Sequence, residues 1–554
     1  MPDPVHHATE QRSPWWSGAI IYQIYPRSFY DRNGDGVGDL QGITEKLDYI
    51  ARLGVDGVWL SPFFTSPMAD FGYDVADYCD VDPVFGDLGD FDRLIEKAHA
   101  LGLKVIIDQV YSHTSDRHPW FRESRTSCDN AKADWYVWAD AKADGAPPNN
   151  WQSVFTGPAW TWDARRGQYY LHNFLTAQPD LNLHNSTVQD ALLNVARFWL
   201  DRGVDGFRLD AINFAMHDPL LRDNPPAPIL AGAPSPTRPF DFQDHRYNQS
   251  HEGIAGFLER LRATTDDYGE IFTVAEVVGP SPLAEMKSFT AGDKRLTAAY
   301  SFDFLYADQL TPALVKKAVS GWFNAKTSEK EGMPAWAFSN HDAPRVVSRW
   351  TGGADENIRA RLFAMLLLSL NGVVFLYQGE ELGLPQADLD FEDLKDPEAI
   401  ANWPETLGRD GARTPMPWTN VRPNAGFGAA GLPGAAPWLP VPADHLPLSV
   451  ETQEADEQST LAFVKTLIGL RRDFTALRDG DLKILPSPDG ILAILRDHQN
   501  ARAFCVFNLG AENHAWRPED ISGCKVAAAV NAGPAGAEPP VALAPMTGYI
   551  AMSS

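Results

Sequence analysis

The sequence is poor in cysteine and in basic residues. Four of its 554 residues are cysteine, namely Cys79, Cys128, Cys505 and Cys524, and no two of them form a CxxC pair. Neither a zinc site nor a disulfide scaffold is therefore predicted. Lysine and arginine together number 47 against 73 acidic residues, which gives a formal net charge of −26. Because an acidic surface repels phosphate backbones and anionic membranes, nucleic acid and lipid are excluded as partners.

Long apolar runs and the layout of a secretory signal are missing as well. The longest apolar stretches, such as the one around Leu362 to Leu370, fall short of a membrane span, and the first residues do not place charges before an apolar run. We therefore expect a soluble protein of the cytoplasm, with the periplasm as the alternative. The sequence leaves open whether it is a monomer or a small homo-oligomer.

The chain is rich in short runs of β-branched and aromatic residues, separated by amphipathic stretches that end in glycine. Such runs are typical of buried parallel strands, and the stretches between them, as at residues 40–54, are typical of helices. This alternation predicts the α/β class and a (β/α)8 TIM barrel. The predicted strands cover residues 19–25, 55–61, 104–110, 204–210, 271–277, 298–304, 334–340 and 373–379.

Two segments break the alternation. Residues 114–186 are rich in Trp, Asp, Gly and Pro and lack a helical period, which predicts an excursion domain after the third strand. From residue 478 onward, short alternating runs predict a C-terminal antiparallel β-domain at 478–554. The barrel then comprises residues 1–113 and 187–477, with an irregular insert at 224–239 after the fourth strand.

Reactive side chains follow several of the predicted strands. In a parallel barrel the active site lies at the C-terminal ends of the strands, so residues at those ends converge on one rim. Each residue alone is typical of a helix cap or a turn, but together they indicate a catalytic rim. They are Asp108 and His113 after the third strand, Arg208 and Asp210 at the end of the fourth, Glu276 at the end of the fifth, and His341 and Asp342 after the seventh.

Two of these carboxyl groups, Asp210 and Glu276, suit the cleavage of a glycosidic bond. That reaction needs one carboxylate to attack the anomeric carbon and one carboxylic acid to protonate the leaving oxygen, about 5–5.5 Å apart when configuration is retained. Arg208 lies two residues before Asp210, hence on the same face of the strand, where its charge should keep Asp210 ionised. The apolar residues before Glu276 should raise its pKa, as a general acid requires.

The segment DRNGDGVGD at 31–39 predicts a structural metal ion. Oxygen ligands stand at alternate positions, the arrangement that hard cations such as Ca²⁺ require, and Mg²⁺ is possible. The bidentate Glu that completes an EF-hand loop is replaced by Gly42, so further ligands or water are needed. The alternative is a bare turn rich in Asp and Asn. The predicted ligands are Asp31, Asn33, Asp35, the carbonyl of Val37, and Asp39.

The motifs that hold the rim residues resemble those of the α-amylase family of glycoside hydrolases over nearly the whole chain. The segment FGYDVADY (71–78) resembles the loop that meets the non-reducing sugar. Four further segments resemble the principal motifs of the family, namely DQVYSHTS (108–115), GFRLDAIN (206–213), VAEV (274–277) and FSNHD (338–342).

This resemblance implies roles for the rim residues. Asp210 would be the nucleophile, Glu276 the acid/base, and Asp342 a third carboxylate that binds and distorts the reacting glucose. The same resemblance places Tyr73, His113, Arg208 and His341 around that glucose. Ser112 departs from the Asn of many members, and Asn213 and Phe214 replace the Lys and His that endo-amylases tend to carry, which argues against an amylase.

Within the family the chain most resembles α-glucosidases, oligo-1,6-glucosidases and related sucrose-acting enzymes. These share ARTPMPW-like and HDAPR-like segments, here 412–418 and 341–345. In them an Asp and an Arg close the pocket behind one glucose, which by position would be Asp70 and Arg409. The alternative for this pair is an ordinary surface salt bridge. Phe155 and Phe174 are expected to wall the site.

We therefore predict a retaining, exo-acting α-glucosidase that hydrolyses terminal glucose from short α-glucosides and also transfers glucosyl groups. In the subgroup that the chain resembles, the residue after the nucleophile tends to be Val in enzymes that prefer α-1,6 bonds and smaller or polar in those that prefer α-1,4 bonds. The resemblance therefore implies that Ala211 favours maltose-like and sucrose-like substrates over isomaltose, since a β-branched side chain there would crowd the leaving sugar. The alternatives are a sucrose isomerase or another α-transglucosylase, which share the catalytic pair. A non-catalytic transporter subunit is disfavoured, because such relatives have lost the three carboxylates.

Overall fold

The computed structural model describes residues 13–155, 157–228, 238–279, 281–323, 332–351, 354–404, 408–421, 424–428 and 434–553. The strands in these residues are β1 Ile20–Ile24, β2 Gly57–Leu60, β3 Phe64–Thr65, β4 Asp77–Val81, β5 Lys104–Val110, β6 Trp138–Ala139, β7 Trp160–Asp163, β8 Gln168–Leu171, β9 Gly206–Asp210, β10 Phe272–Val277, β11 Ala298–Ser301, β12 Met333–Ala337, β13 Val373–Tyr377, β14 Asp481–Ile484, β15 Ile491–His498, β16 Ala501–Asn508, β17 His514–Ala515, β18 Lys525–Val530, β19 Ala542–Leu543 and β20 Thr547–Met552.

The α-helices in the same residues lie between the barrel strands and after them. They are α1 Leu40–Leu53, α2 Leu88–Ala100, α3 Pro119–Ser124, α4 Ser186–Asp201, α5 Ile254–Asp266, α6 Pro282–Thr290, α7 Pro312–Phe323, α8 Val346–Arg349, α9 Glu356–Ser369, α10 Pro397–Asn402, α11 Val450–Glu454, α12 Thr460–Asp473 and α13 Thr475–Arg478.

Eight parallel strands of the described chain close into a barrel in the order β1-β13-β12-β11-β10-β9-β5-β2. The ring closes at β1, where Ile20 pairs with Val374 of β13 and Ile21 pairs with Gly57 of β2. The barrel strands are covered on both faces, which is why they are apolar without alternation. All eight strands predicted from the sequence are confirmed. They include the sixth, whose sequence shows the strand pattern only weakly and which is β11.

The first helices begin and end at the residues that the sequence marks. The carboxylate of Asp39 caps α1 by accepting from the backbone N–H of Gly42, and the helix ends at Gly54, whose φ of 90° lies in the left-handed region. Asp87 and Asp90 form a capping box at the start of α2. These caps fix the amphipathic helices on the outside of the barrel.

The segment after β5 forms its own small layer above the barrel mouth. It holds α3 and a three-stranded sheet in the order β6-β8-β7. An antiparallel bridge between His113 and Asp180 connects this layer to the end of β5. The boundaries 114 and 186 remain predictions. Of the insert at 224–239, residues 229–237 lie outside the described residues.

The C-terminal β-domain is confirmed as an antiparallel sheet in the order β14-β15-β16-β20-β18. It packs on α9, which contains most of the apolar run around Leu362 to Leu370 and is buried at every position from 362 to 369. This helix is apolar all round because α12, β16 and β18 surround it. Among the described residues, no helix combines the length and the apolar character needed to cross a bilayer.

Candidate active site

The barrel brings the predicted rim residues together around one buried guanidinium. Arg208 of β9 is fully buried, and its Nη1 lies 2.7 Å from Oδ1 of Asp108 and 2.6 Å from Oδ1 of Asp210. Its Nη2 pairs with Oε1 of Glu276 at the end of β10. One cation therefore holds three carboxyl groups that belong to three neighbouring strands, because each strand ends at the same rim.

Glu276 has two further hydrogen-bond partners. The hydroxyl of Tyr300, on β11, donates to Oε1 at 3.1 Å, and the backbone N–H of Ala211 donates to Oε2 at 3.2 Å. Ala211 has a φ of 37°, in the left-handed region that residues with a Cβ rarely occupy. The turn after Asp210 is therefore strained, and it aims one backbone N–H at the carboxyl group of Glu276.

Burial governs the protonation of this pair. It raises the pKa of Glu276 to about 7, with Arg208 opposing the shift. It also raises the pKa of Asp210 to about 7, again against Arg208. The expected direction for Glu276 is thus correct. Arg208 lowers the pKa of Asp210, in the direction expected from the sequence, but the loss of hydration outweighs this ion pair.

Asp342 behaves in the opposite way. Burial by itself would raise its pKa, but His341, Arg413 and Arg409 together hold that pKa below the ordinary value. Nη2 of Arg413 lies 2.7 Å from Oδ1 of Asp342, and Nη1 of Arg409 lies 3.5 Å from the same oxygen. Asp342 therefore stays ionised at neutral pH, whereas the raised pKa values of Asp210 and Glu276 lie near neutrality.

The ring of His341 is fixed between two aromatic rings. It stacks on Tyr73 at 5.5 Å and on Tyr25 at 5.6 Å, and the amide of Gln23 donates to its Nδ1 at 2.8 Å. Burial lowers the pKa of His341 to about 3. The imidazole is therefore neutral, and its Nε2 lies 3.2 Å from Oδ2 of Asp342 and within hydrogen-bond distance of the hydroxyl of Tyr73.

His113 is held from both sides. The hydroxyl of Ser112 donates to its Nδ1 at 3.0 Å, and its Nε2 donates to the carbonyl of Tyr73 at 3.1 Å. Burial lowers the pKa of His113 to about 4. Ser112, where the sequence departs from the family pattern, thus orients the histidine through its hydroxyl. The Phe174 ring lies 5.1 Å from the His113 ring.

A group of buried ion pairs around Arg409 adjoins this cluster. Nη2 of Arg409 lies 2.8 Å from Oδ1 of Asp70 and 2.8 Å from Oδ1 of Asp396. The guanidinium also lies over the ring of Phe155, at 5.2 Å from its centre. Asp70 is only 4% exposed and Arg409 8%, so this pair is not the surface salt bridge of the alternative interpretation.

A family model described as alpha amylase, catalytic domain, matches residues 23–480 of the sequence. The chain belongs to the α-amylase family. A Rhizobium meliloti (strain 1021) protein named "Probable alpha-glucosidase" is 53% identical over 503 residues, covering 90% of each chain. An oligo-1,6-glucosidase of Heyndrickxia coagulans is 36% identical over 543 residues, covering 91% of this chain and 94% of the relative.

The crystal structure of an α-glucosyl transfer enzyme, XgtA, has the same architecture. It matches with a TM-score of 0.90 and 48% identity, covering 98% of this chain and 100% of the other. An α-amylase family chain with such relatives is a glycoside hydrolase, and the three carboxylates predicted from the sequence, Asp210, Glu276 and Asp342, are all among the described residues.

Sequence reasoning missed four residues that this α-amylase family site uses. Arg413, which binds Asp342, lies inside the quoted segment 412–418 and could have been found there. Tyr300 lies on β11, the strand with the weakest sequence pattern of the eight. Gln178, whose amide donates to Oδ2 of Asp70 at 3.1 Å, opens the segment QPDLN (178–182), which resembles a supporting motif of the family, and could have been found there. Asp396, which pairs with Arg409, lies in an irregular loop where no local pattern marks it.

The 31–39 loop of this family member forms a network of turns. Asp31 accepts from the backbone N–H groups of Gly34 and Gly36, and Asp35 accepts from that of Val37 at 2.9 Å. Asp39 accepts from Arg32, Asn33 and Gly42. In the described residues, no three His, Cys, Asp or Glu side chains are grouped so that they could hold a metal ion. The geometry by itself does not assemble a metal site, so the ion remains a prediction from spacing.

Proposed function

We propose that the protein is a retaining, exo-acting α-glucosidase that removes the terminal glucose of short α-glucosides. The observation that supports this proposal is the buried group of Asp70, Arg409 and Asp396, which adjoins the carboxylate cluster where Nη1 of Arg409 lies 3.5 Å from Oδ1 of Asp342. In our proposal these buried charges close the pocket, so a glucose unit enters with its non-reducing end first. A long chain cannot pass through such a site and is cleaved only at its end.

In the first half of the reaction, Asp210 attacks the anomeric carbon as Glu276 gives its proton to the leaving oxygen. The bond from the anomeric carbon to the leaving sugar breaks, and a covalent glucosyl-Asp210 forms. Arg208 contacts both carboxyl groups and disperses the charge that moves between them. Asp342 stays ionised and accepts hydrogen bonds from the glucose hydroxyls, which fixes the ring.

In the second half, Glu276 acts as a base. It takes a proton from water or from a sugar hydroxyl, whose oxygen attacks the anomeric carbon and releases Asp210. Two inversions restore the α configuration. Because the acceptor occupies the place of the leaving sugar, the same residues support both hydrolysis and glucosyl transfer.

A second candidate function is glucosyl transfer as the main reaction. The similarity to an α-glucosyl transfer enzyme, at 48% identity over nearly the whole chain, favours it. Both reactions use Asp210 and Glu276, so they differ in how far water is excluded from the glucosyl-enzyme. We place hydrolysis first among the two reactions. Among the substrates we place maltose-like and sucrose-like glucosides first, on the basis of the small side chain of Ala211.

We also propose a structural Ca²⁺ or Mg²⁺ at residues 31–39, supported by oxygen ligands at alternate positions. No catalytic step depends on it. A cytoplasmic location and a monomeric or small homo-oligomeric state complete the proposal.

One experiment tests the proposed function. The protein is incubated separately with maltose, isomaltose, sucrose, trehalose and soluble starch, and products are resolved by chromatography while proton NMR follows the first anomer released. We expect α-glucose from the disaccharides, slow release of glucose alone from starch, and transfer products at high substrate concentration. Initial release of β-glucose, or internal cleavage of starch, would contradict the proposal.

A further inference from the structure

A second concave site lies outside the sugar pocket. It is an open groove with a volume of about 700 Å³, within the range of small-molecule sites. Its lining includes Phe71 and Trp438, and Pro397 and Ile400 of α10. None of the three catalytic carboxylates lines it, so it is distinct from the site described above.

The groove carries positive charge in a strongly acidic protein. Its charged lining residues are Arg27 and Lys395, and no Asp or Glu is among the described residues that line it. Arg27 is only 9% exposed, and its Nε is buried without a hydrogen-bond partner. In the described part of the chain, no carboxylate lies within ion-pair distance of either cation; Asp82 and Asp35 act on Arg27 from farther away.

Aromatic rings hold the guanidinium of Arg27 in place of a carboxylate. Its central carbon lies 5.1 Å from the centre of the Trp438 ring and 5.4 Å from that of Phe71. Because the described residues give this buried cation ring faces and no carboxylate as close partners, an incoming anion can bind it without breaking an ion pair among them. The half-buried indole of Trp438 offers a flat surface for the apolar face of a ring.

The groove and the sugar pocket share two chain segments. Ala69 and Phe71 line the groove, whereas Asp70 between them pairs with Arg409 in the sugar pocket. Lys395 and Pro397 line the groove in the same way, on either side of Asp396. The groove is therefore the outer surface of the wall that closes the sugar pocket.

We propose that this groove binds a phosphorylated hexose, whose phosphate contacts Arg27 and Lys395 and whose ring stacks on Trp438. Two cations that have no carboxylate within ion-pair distance among the described residues supply the recognition of phosphate, and the indole supplies the recognition of the sugar ring. A neutral hexose lacks the first interaction, and inorganic phosphate lacks the second.

Isothermal titration calorimetry with glucose 6-phosphate tests the proposal directly. Titrations are run at low ionic strength with the sugar pocket saturated by 1-deoxynojirimycin, so that binding in the active site does not contribute. We expect one saturable site, at least about tenfold tighter for glucose 6-phosphate than for glucose or inorganic phosphate. Lys395→Gln should weaken binding about fivefold or more, because the exposed Lys395 side chain contributes a direct charge.

Two further variants keep the result interpretable. Lys142→Gln makes the same change at an exposed lysine outside the groove and should leave the affinity within about twofold. Arg27→Gln should abolish binding while the melting temperature reports whether the fold survives. Absence of saturable binding, equal affinity for inorganic phosphate, or an unchanged affinity in Lys395→Gln would overturn the proposal. None of these results depends on glucosidase activity.

Discussion

The exchange Glu276→Gln removes the proton that the leaving oxygen needs and preserves the size of the side chain. The glucose that leaves from maltose departs as a sugar alkoxide unless its oxygen is protonated, so kcat/KM for maltose should fall by about 10²–10⁴-fold, the usual contribution of a general acid. An aryl glucoside with a dinitrophenyl group departs without protonation. Its kcat/KM should change by less than about tenfold, because proton transfer adds little to that step.

The pH dependence follows from the raised pKa of the same pair, about 7 for each group. Asp210 must be ionised to attack, so the rate falls as the pH drops through its pKa. Glu276 must be protonated, so the rate falls as the pH rises through its pKa. The wild-type profile should be a narrow bell near neutral pH. In Glu276→Gln the alkaline limb disappears, and loss of the neighbouring charge moves the acid limb to lower pH.

The assay records kcat/KM for maltose and for the dinitrophenyl glucoside between about pH 5 and 9, a range that spans both limbs. Glu392→Gln, at an exposed glutamate, is the matched control and should keep both limbs. Equal losses on the two substrates, or an alkaline limb that survives in Glu276→Gln, would refute the assignment of Glu276.

Three further outcomes are expected. Ala211→Val should shift the ratio of kcat/KM toward isomaltose over maltose and lower the melting temperature, because a β-branched residue strains a left-handed φ; an unchanged ratio would locate linkage choice elsewhere. Arg413→Lys should raise KM about tenfold or more, because an ammonium cannot reproduce the contacts to both Asp342 and the carbonyl of His341; an unchanged KM would exclude this positioning role. Chelation should lower the melting temperature before it lowers activity; lost activity at an unchanged melting temperature would contradict a structural ion.

The barrel and its rim could be predicted because short stretches of neighbouring residues indicate both of them. Asp210 and Glu276 each end a short apolar run, and a parallel barrel gathers all such ends on one side. The same rule located Asp108 and Arg208. Even the weak strand β11 was found, because a closed barrel requires an eighth member.

The remaining contacts depend on tertiary structure. Arg413 reaches Asp342 across 71 positions, and no periodicity links them. Asp70 and Arg409, 339 positions apart, could be paired only through the family resemblance. The effect of Arg208 on the pKa of Asp210 is visible in the sequence, whereas the depth of burial that opposes it is not. The groove beside Arg27 was missed for the same reason, since its two cations come from distant loops.

The proposed mechanism requires Asp210 as the nucleophile, and trapping of the glucosyl-enzyme tests this role most directly. The protein is incubated with a mechanism-based fluorinated α-glucosyl fluoride, digested, and analysed by mass spectrometry. We expect one added fluoroglucosyl group, located on Asp210. The variant Asp210→Asn should carry no label at an unchanged melting temperature. A label on another carboxyl group, or turnover of the reagent with no covalent intermediate, would contradict this role.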